Sequence, residues 1–314
     1  MLGEFDLIRR YFTPAPAALP AAVITGVGDD CAVLRLPPQC DMAISVDTQV
    51  CGVHFHTDAD PALVAARVLR CAASDLAAMG AEPLGFTLAL TLPAADEAWL
   101  GAFSRGLLDT AQQLQCPLIG GDTTKGPLTI SVQVNGSVPA GRALRRNGAR
   151  VGDQVWVSGT LGDGAAALAL LEQRLQLDDE AARYLQQRFY HPAIDFTLAV
   201  QLRDLASSCI DVSDGLLADL GHLCTASGVA ATIQRAALPL APAWRTAVTS
   251  QQAWQWALAG GDDYRLCFTA APSHTPVLQA LAGLHCIGVI TAGSGIVVLD
   301  EQGVPCPVDN QRFR

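Results

Sequence analysis

DMAISVDTQVCGVHFHTDADPALVAARVLRCAASDLAAMGAEPLGFTLALTL, residues 41–92, reads as strand, helix, strand. Residues 41–47 and 84–92 (LGFTLALTL) are rich in apolar and β-branched side chains and are bounded by turn residues, as strands are. Between them Asp60 can cap a helix, Pro61 suits its first position, and Gly80 stops it after ALVAARVLRCAASDLAAM. A long helix between two strands points to an α/β fold of the α+β type, not to a bundle. Val64, Val68, Cys71, Asp75 and Met79 recur every three or four residues, which places Asp75 on the apolar stripe. A carboxylate there either bonds to neighbouring backbone or ligates a cation.

Outward from this segment the alternation continues. A second helix is expected over 96–114, from Asp96 through Trp99, Phe103 and Leu107. A strand to Ile119, a GGDTTKG loop and a strand at 128–138 follow. GRALRRNGARVGDQ (141–154) is turn-rich and charged and marks a boundary between an N-terminal domain, 1–140, and a C-terminal domain, 150–314. The second half restarts with a VWVSG strand, a Gly-rich turn and a helix GAAALALLEQRLQ. Helices near 194–206 and 215–227, flanking a DVSDGL loop, and strands near 266–269 and 287–299 complete it. The two halves share a layout without a sequence repeat.

A length of 314 residues fits two domains of roughly 150 residues each. No apolar run reaches the ~18–20 residues of a membrane span. The N-terminus MLGEFDLIRRYF has charges of both signs and no apolar h-region, unlike a secretory signal. A net charge of −10 argues against nucleic acid and anionic membranes as partners. Ten cysteines without a CxxC pair read as reduced, mostly buried thiols of a cytoplasmic protein.

The chemistry lies in aspartate. Of the 30 acidic residues 24 are Asp, and Lys125 is the only lysine. Many of the acids stand where an apolar stretch stops: Asp29 and Asp30 in GVGDD, Asp47 in SVDT, Asp122 in GGDTT, Asp211 and Asp214 in DVSDG, Asp262 and Asp263 in GGDDY. Short carboxylates so placed repel one another unless cations sit among them. Singly, each has an ordinary reading: solvated turn acids for Asp29 and Asp30, helix capping by Ser213 or Asp214. As a set, with one lysine for phosphate charge, they point to anions handled through hard divalent metals: Mg²⁺, Mn²⁺ or Ca²⁺. GGDTTKG lacks the GxxxxGK spacing of a P-loop. SGTLGDGAAA (158–167) is either a phosphate-binding glycine turn or a tight strand-to-helix connection. His54 and His56 share a strand face and suit a substrate contact or a surface position. Arg142, Arg145 and Arg146 form a basic cluster for a nucleotide phosphate or a solvated linker.

In order along the chain, GEFDLI, GVGDDCAV, AISVDT, HF, ASDLAAMGAEP, LIGGDTTKGP, GRALRRNGA, DVSDGLLADLGH and GGDDY resemble the thiamine-monophosphate kinase family. That family belongs to the PurM-like ATP-binding superfamily, with aminoimidazole ribonucleotide synthetase and selenophosphate synthetase. The resemblance implies a two-domain PurM-like fold: an N-terminal mixed sheet that forms a barrel across a homodimer, and a C-terminal α/β domain. It implies ATP and thiamine monophosphate as substrates, Mg²⁺ as cofactor with Mn²⁺ able to substitute, and thiamine diphosphate and ADP as products. Carried over by position, the metal ligands match Asp30, Ser45, Val46, Asp47, Asp75, Asp122, Asp211 and Asp214. Val46 replaces a usual Thr and offers only its carbonyl. ATP contacts match Gly121, Asp122, Arg146 and Ser213. Substrate contacts match His54 and Asp262; the usual GGEDY is GGDDY here, one methylene shorter. The position of the aromatic residue that stacks on thiamine matches Asn310, with Phe313 the nearest aromatic.

The implied chemistry is in-line transfer of the γ-phosphoryl group onto a phosphate, with Asp47, Asp75 and Asp122 at its centre. Rival readings are another ATP-dependent member of the superfamily and a non-catalytic nucleotide or thiamine-phosphate sensor. Selenophosphate synthesis is disfavoured, because no Cys precedes Cys31.

Overall fold

The computed structural model describes residues 4–13 and 19–306. Contacts divide the chain into two compact units, Met1–Leu76 with Ala81–Ala143, and Ala77–Gly80 with Leu144–Arg314.

The first unit runs α1 (Glu4–Leu7), a π-helical turn (Ile8–Phe12), β1 (Val23–Thr25), β2 (Val33–Leu34), β3 (Cys40–Val50), α2 (Pro61–Ala78), β4 (Glu82–Leu92), α3 (Glu97–Gln113), β5 (Leu118–Lys125) and β6 (Thr129–Pro139). The expected strand–helix–strand is present. Asp60 accepts the Ala62 amide at 2.7 Å, and Gly80 closes the helix region in the left-handed conformation, φ +65°. Asp96 caps α3 by accepting from Ala98 and Trp99. The sheet order is β3-β6-β4-β5, mixed, with β4 antiparallel to β6 and parallel to β5.

One expectation fails locally. GGDTTK is not a loop but the body of β5, paired with Thr87–Leu92 of β4. A Cβ on Gly121 would lie 2.1 Å from the Leu88 carbonyl oxygen, so the glycine that reads as a turn signal instead lets two backbones meet. The core of this unit is the row Phe86, Leu88, Leu90 against Val134, Val132, Ile130, all nearly inaccessible. Helix α2 reaches the sheet at Gly136, where a Cβ would lie 3.0 Å from Leu76 and 2.9 Å from the Glu82 carbonyl oxygen, and meets α3 where Gly106 abuts Ala62.

The second unit runs β7 (Gln154–Ser158), α4 (Asp163–Leu171), α5 (Asp179–Tyr190), α6 (Phe196–Leu202), β8 (Ala206–Val212), α7 (Leu216–Ser227), β9 (Ala230–Gln234), α8 (Pro242–Arg245), α9 (Ser250–Ala259), β10 (Arg265–Ala270), α10 (Thr275–Ala280), β11 (Leu284–Thr291) and β12 (Gly295–Leu299). Its sheet order is β12-β9-β11-β7-β10-β8. Neighbouring strands are antiparallel except β12 with β9. Both faces are buried, so its central strands read as continuous apolar runs. Val155, Val157, Ile210, Val212 and Cys267 pack with Leu216, Leu220 and Leu223 of α7. Alternate residues Trp156, Cys209 and Phe268 pack with Ala199 and Leu202 of α6 and Leu278 of α10. Helices α5, α8, α9 and α10 and strands β8 and β9 were not expected. The stretch 287–299 is two strands, split at Gly293 with φ +112°. Among the described residues no helix is long and apolar enough to cross a membrane. All ten cysteines are free thiols.

Candidate active site

In the first unit, the GVGDD turn and strand β5 border one cavity of about 870 Å³. Ile8, Phe12, Leu34 and Met42 give it an apolar wall, while Asp30, Gly121 and Asp122 give it an acidic, glycine-backed one. An apolar wall suits a nucleobase, and an acidic wall suits phosphates accompanied by cations. Of the paired acids in the turn, Asp29 bends back to accept the Asp30 amide at 2.8 Å. Asp29 is the turn-forming member.

A second group lies on β3 and α2. Ser45 donates its hydroxyl to Asp75 Oδ2 at 2.5 Å. Asp47 lies two residues further along the same face of the strand. Burial raises the Asp47 pKa, and the nearby Asp75 charge raises it further. Strand register separates Asp122 from this pair. Asp47 lines up with Val132, Leu88 and Gly121, whereas Asp122 belongs to the next row, with Ala89, Ser131 and Thr48. Side chains of adjacent rows point to opposite faces, so Asp122 turns toward the cavity face and Asp47 toward the α2 face. Val46 is 64% exposed on the edge strand β3. His54 follows that strand, and its Nδ1 accepts the Val50 amide at 3.1 Å, which assigns the ring proton to Nε2.

In the second unit two glycine turns are each closed by a carboxylate of the chain itself. Asp219 Oδ2 accepts the amides of Ser213, Asp214 and Gly215 at 3.0, 3.0 and 3.1 Å. Neither Ser213 nor Asp214 caps α7; Asp219 reaches back from the helix and takes all three amides. Burial pushes its pKa up to about 6 against the pull of those amides. Asp263 accepts Gly162 N at 2.7 Å and Gly164 N at 3.0 Å. That bridge decides the reading of SGTLGDGAAA: it is a tight connection, and its amides hold an internal carboxylate. The GGDDY and DVSDG loops are joined by Asp262 N to Ser213 O, 2.9 Å, and Tyr264 N to Val212 O, 2.7 Å. Asp211 is 5% exposed at the end of β8. Arg146 lies in a loop whose carbonyl oxygen accepts from Ser227 Oγ at 3.1 Å. Asn310 and Phe313 lie outside the described residues.

No group of three or more His, Cys, Asp or Glu is close enough to hold a metal ion among the described residues. The donor chemistry nevertheless fits a hard divalent cation. Ser45, Asp47 and Asp75 bring three oxygen-bearing side chains to one patch, and a cation there would offset the burial and the Asp75 charge that raise the Asp47 pKa.

Family models match both units: AIR synthase related protein, N-terminal domain, over residues 28–138, and the C-terminal domain over 150–301. The thiamine-monophosphate kinase of Salmonella typhimurium is 46% identical over 313 residues, covering 98% of this chain and 96% of that protein. The chain belongs to the thiamine-monophosphate kinase family. A crystal structure of the thiamine-monophosphate kinase from Stenotrophomonas maltophilia has TM-score 0.85 and 43% identity, covering 88% of this chain and 91% of that one. A structure described as AaThiL complexed with AMPPCP and TMP has TM-score 0.77 and 29% identity, covering 89% and 87%.

The motifs that mark the family acquire different jobs in the structure. GVGDD and GGDTT border the cavity and AISVDT carries the Ser45–Asp75 hydrogen bond, while GGDDY and DVSDG are hydrogen-bonded to one another. Sequence alone did not single out Asp163 or Asp219, and it marked Asp263 only as a strand-end acid. Asp163 is 1% exposed and accepts from Trp244, Tyr184, Thr160 and Arg188, at 2.8, 2.8, 2.6 and 3.1 Å. Asp219 carried a legible signal: an acid in the first turn of a helix that opens on glycine, within reach of its free amides.

Proposed function

We propose that this chain transfers the γ-phosphoryl group of ATP to the phosphate of thiamine monophosphate, giving thiamine diphosphate and ADP. The observation that carries the reading is the cavity whose apolar wall ends at Asp30, Gly121 and Asp122, in a chain nearly co-extensive with kinases of this family. A non-bridging oxygen of the acceptor phosphate attacks the γ-phosphorus in line, and the bond from that phosphorus to the β–γ bridging oxygen breaks. The acceptor is already anionic near neutral pH, so no strong general base is needed. The protein's task is to hold two polyanions together and aligned.

Two groups would hold Mg²⁺ or Mn²⁺: Asp30 and Asp122 at the cavity, and Ser45, Asp47 and Asp75 with the Val46 carbonyl at the β3–α2 patch. Bound metal would supply charge neutralisation on the phosphates. Asp211 and Asp214 are the metal ligands we assign to the second unit. Gly121, which borders the cavity, is an ATP contact through its backbone; Arg146 and Ser213 are the further ATP contacts. His54, proton on Nε2, and Asp262 are the substrate contacts. The complex of the relative with AMPPCP, which carries a methylene at the β–γ bridge of ATP, and TMP supports this pair of substrates.

The assembly we propose is a homodimer joined through β3. That edge strand exposes Met42, Ile44 and Val46 at 41, 58 and 64%, an apolar row that a partner sheet would cover. The compartment we propose is the cytoplasm, where ATP is supplied and ten thiols stay reduced. The test is ADP release, coupled to a detector, across a panel of phosphorylated acceptors. Release stimulated by thiamine monophosphate alone is expected. Release that ignores the acceptor, or follows another one, overturns the reading.

A further inference from the structure

We infer that Asp263 is a positioning residue that sets the orientation of Asp262 toward thiamine monophosphate; this rests on the reading of Asp262 as a substrate contact. Asp262 and Tyr264 both lie in the left-handed region, at φ +66° and +49°. Non-glycine residues rarely adopt that conformation, and two of them flanking one residue persist only if the surroundings hold them. Asp263, between them, is 1% exposed and spans the amides of Gly162 and Gly164 with its two oxygens.

The fit around that bridge leaves no slack. A Cβ on Gly164 would lie 2.3 Å from the Gly261 carbonyl oxygen, and one on Gly261 would lie 2.5 Å from that of Ser213. Three turns from distant parts of the sequence are thus pressed backbone to backbone, with the Asp263 carboxylate as the tie between the first and the third. On the far side of the tie, Tyr264 donates its hydroxyl to Asp262 Oδ1 at 3.2 Å. Without the tie the 262–264 segment relaxes toward extended backbone, and the Asp262 carboxylate turns with it.

The test is a double-mutant cycle on thiamine-monophosphate affinity, measured by calorimetry, with an ATP analogue titrated in parallel. Asp263→Asn keeps the shape but sets an amide group against two N–H donors. It should weaken thiamine monophosphate at least tenfold and leave the analogue within twofold. Asp262→Gly removes the contact and suits the left-handed backbone, so it should also weaken thiamine monophosphate. In the Asp262→Gly background, Asp263→Asn should then have no further effect, because residues acting through one another are not additive. Additive losses, or equal losses for both ligands, make Asp263 a general structural residue and overturn the inference. Loss with Asp262→Gly but not with Asp263→Asn overturns it while sparing the substrate reading; no loss with either overturns both. If Asp263→Asn does not fold, hydrogen exchange on the unaltered protein decides. Thiamine monophosphate should slow exchange of the 160–164 amides, and unchanged exchange there overturns the inference.

Discussion

Ser45 on strand β3 donates its hydroxyl to Asp75 on helix α2 at 2.5 Å, so the strand and the helix present their oxygens as one patch. Asp47 beside them has its pKa raised by burial and by that same Asp75. A divalent cation beside Asp47 would offset both the burial and the neighbouring charge. Asp75→Asn and Asp47→Asn keep the shape and remove a charged ligand. Each should leave the melting temperature close to that of the parent and lower turnover by at least about a hundredfold at saturating Mg²⁺. Ser45→Ala should cost less and raise the Mg²⁺ concentration needed for half-maximal rate. Near-normal turnover in both Asp variants would remove the metal from this patch.

The sequence made the first unit legible because its signals were local. Asp60, Pro61 and Gly80 bracket α2, and the stripe through Asp75 marks its inward face. It misjudged GGDTTK, where two glycines serve a parallel pairing with a strand some thirty residues earlier. In the second unit, the acids were legible as a set, but their division of labour was not. Asp262 and Asp263 are neighbours in sequence, yet one bonds to Tyr264 and the other turns inward to Gly162 and Gly164, about a hundred residues away. No spacing rule encodes that pairing.

Asp263 also gives a pH signature. Burial, with the Asp163 charge adding to it, pushes its pKa from 3.8 to about 7, against the amides of Gly164 and Gly162 and the Arg188 charge. The folded state therefore binds a proton that the unfolded state has already released. Stability from this group is full below pH 3.8, falls as pH rises toward about 7, and is flat above. Asp263→Asn does not titrate, so the difference in stability between it and the parent should change across that window and level off beyond it. Denaturant unfolding of both proteins at several pH values checks this; a constant difference would mean that Asp263 is ionised throughout.

The exposed row Met42, Ile44 and Val46 bears on assembly. Apolar side chains on an unpaired edge strand are a liability unless a partner covers them. In solution the chain should have twice the mass of 32.9 kDa. Ile44→Asp places a charge in the middle of the row and should shift the mass toward one copy, measured by light scattering at matched concentration. An unchanged mass for the variant, or a parent protein that is already monomeric, rules β3 out as the contact.

Asp262→Glu lengthens the acid by one methylene, and backbone geometry makes its consequences two-sided. Asp262 sits at φ +66°, where Asp is tolerated better than most side chains because its short polar group can bond locally. Glu lacks that local bond, so the variant should lose up to about 1 kcal/mol of folding stability. Its carboxylate reaches one methylene further at the same charge, so thiamine-monophosphate affinity should hold or tighten. Asp262→Ala has neither reach nor charge and should weaken that affinity while leaving ATP binding intact. Calorimetric titration of both ligands, together with denaturant unfolding of the three proteins, separates the effects. Stability that falls while affinity holds identifies a contact residue carried on a constrained backbone. If neither substitution moves thiamine-monophosphate affinity, Asp262 is not at the substrate, and GGDDY serves only to lock the loops of the second unit together.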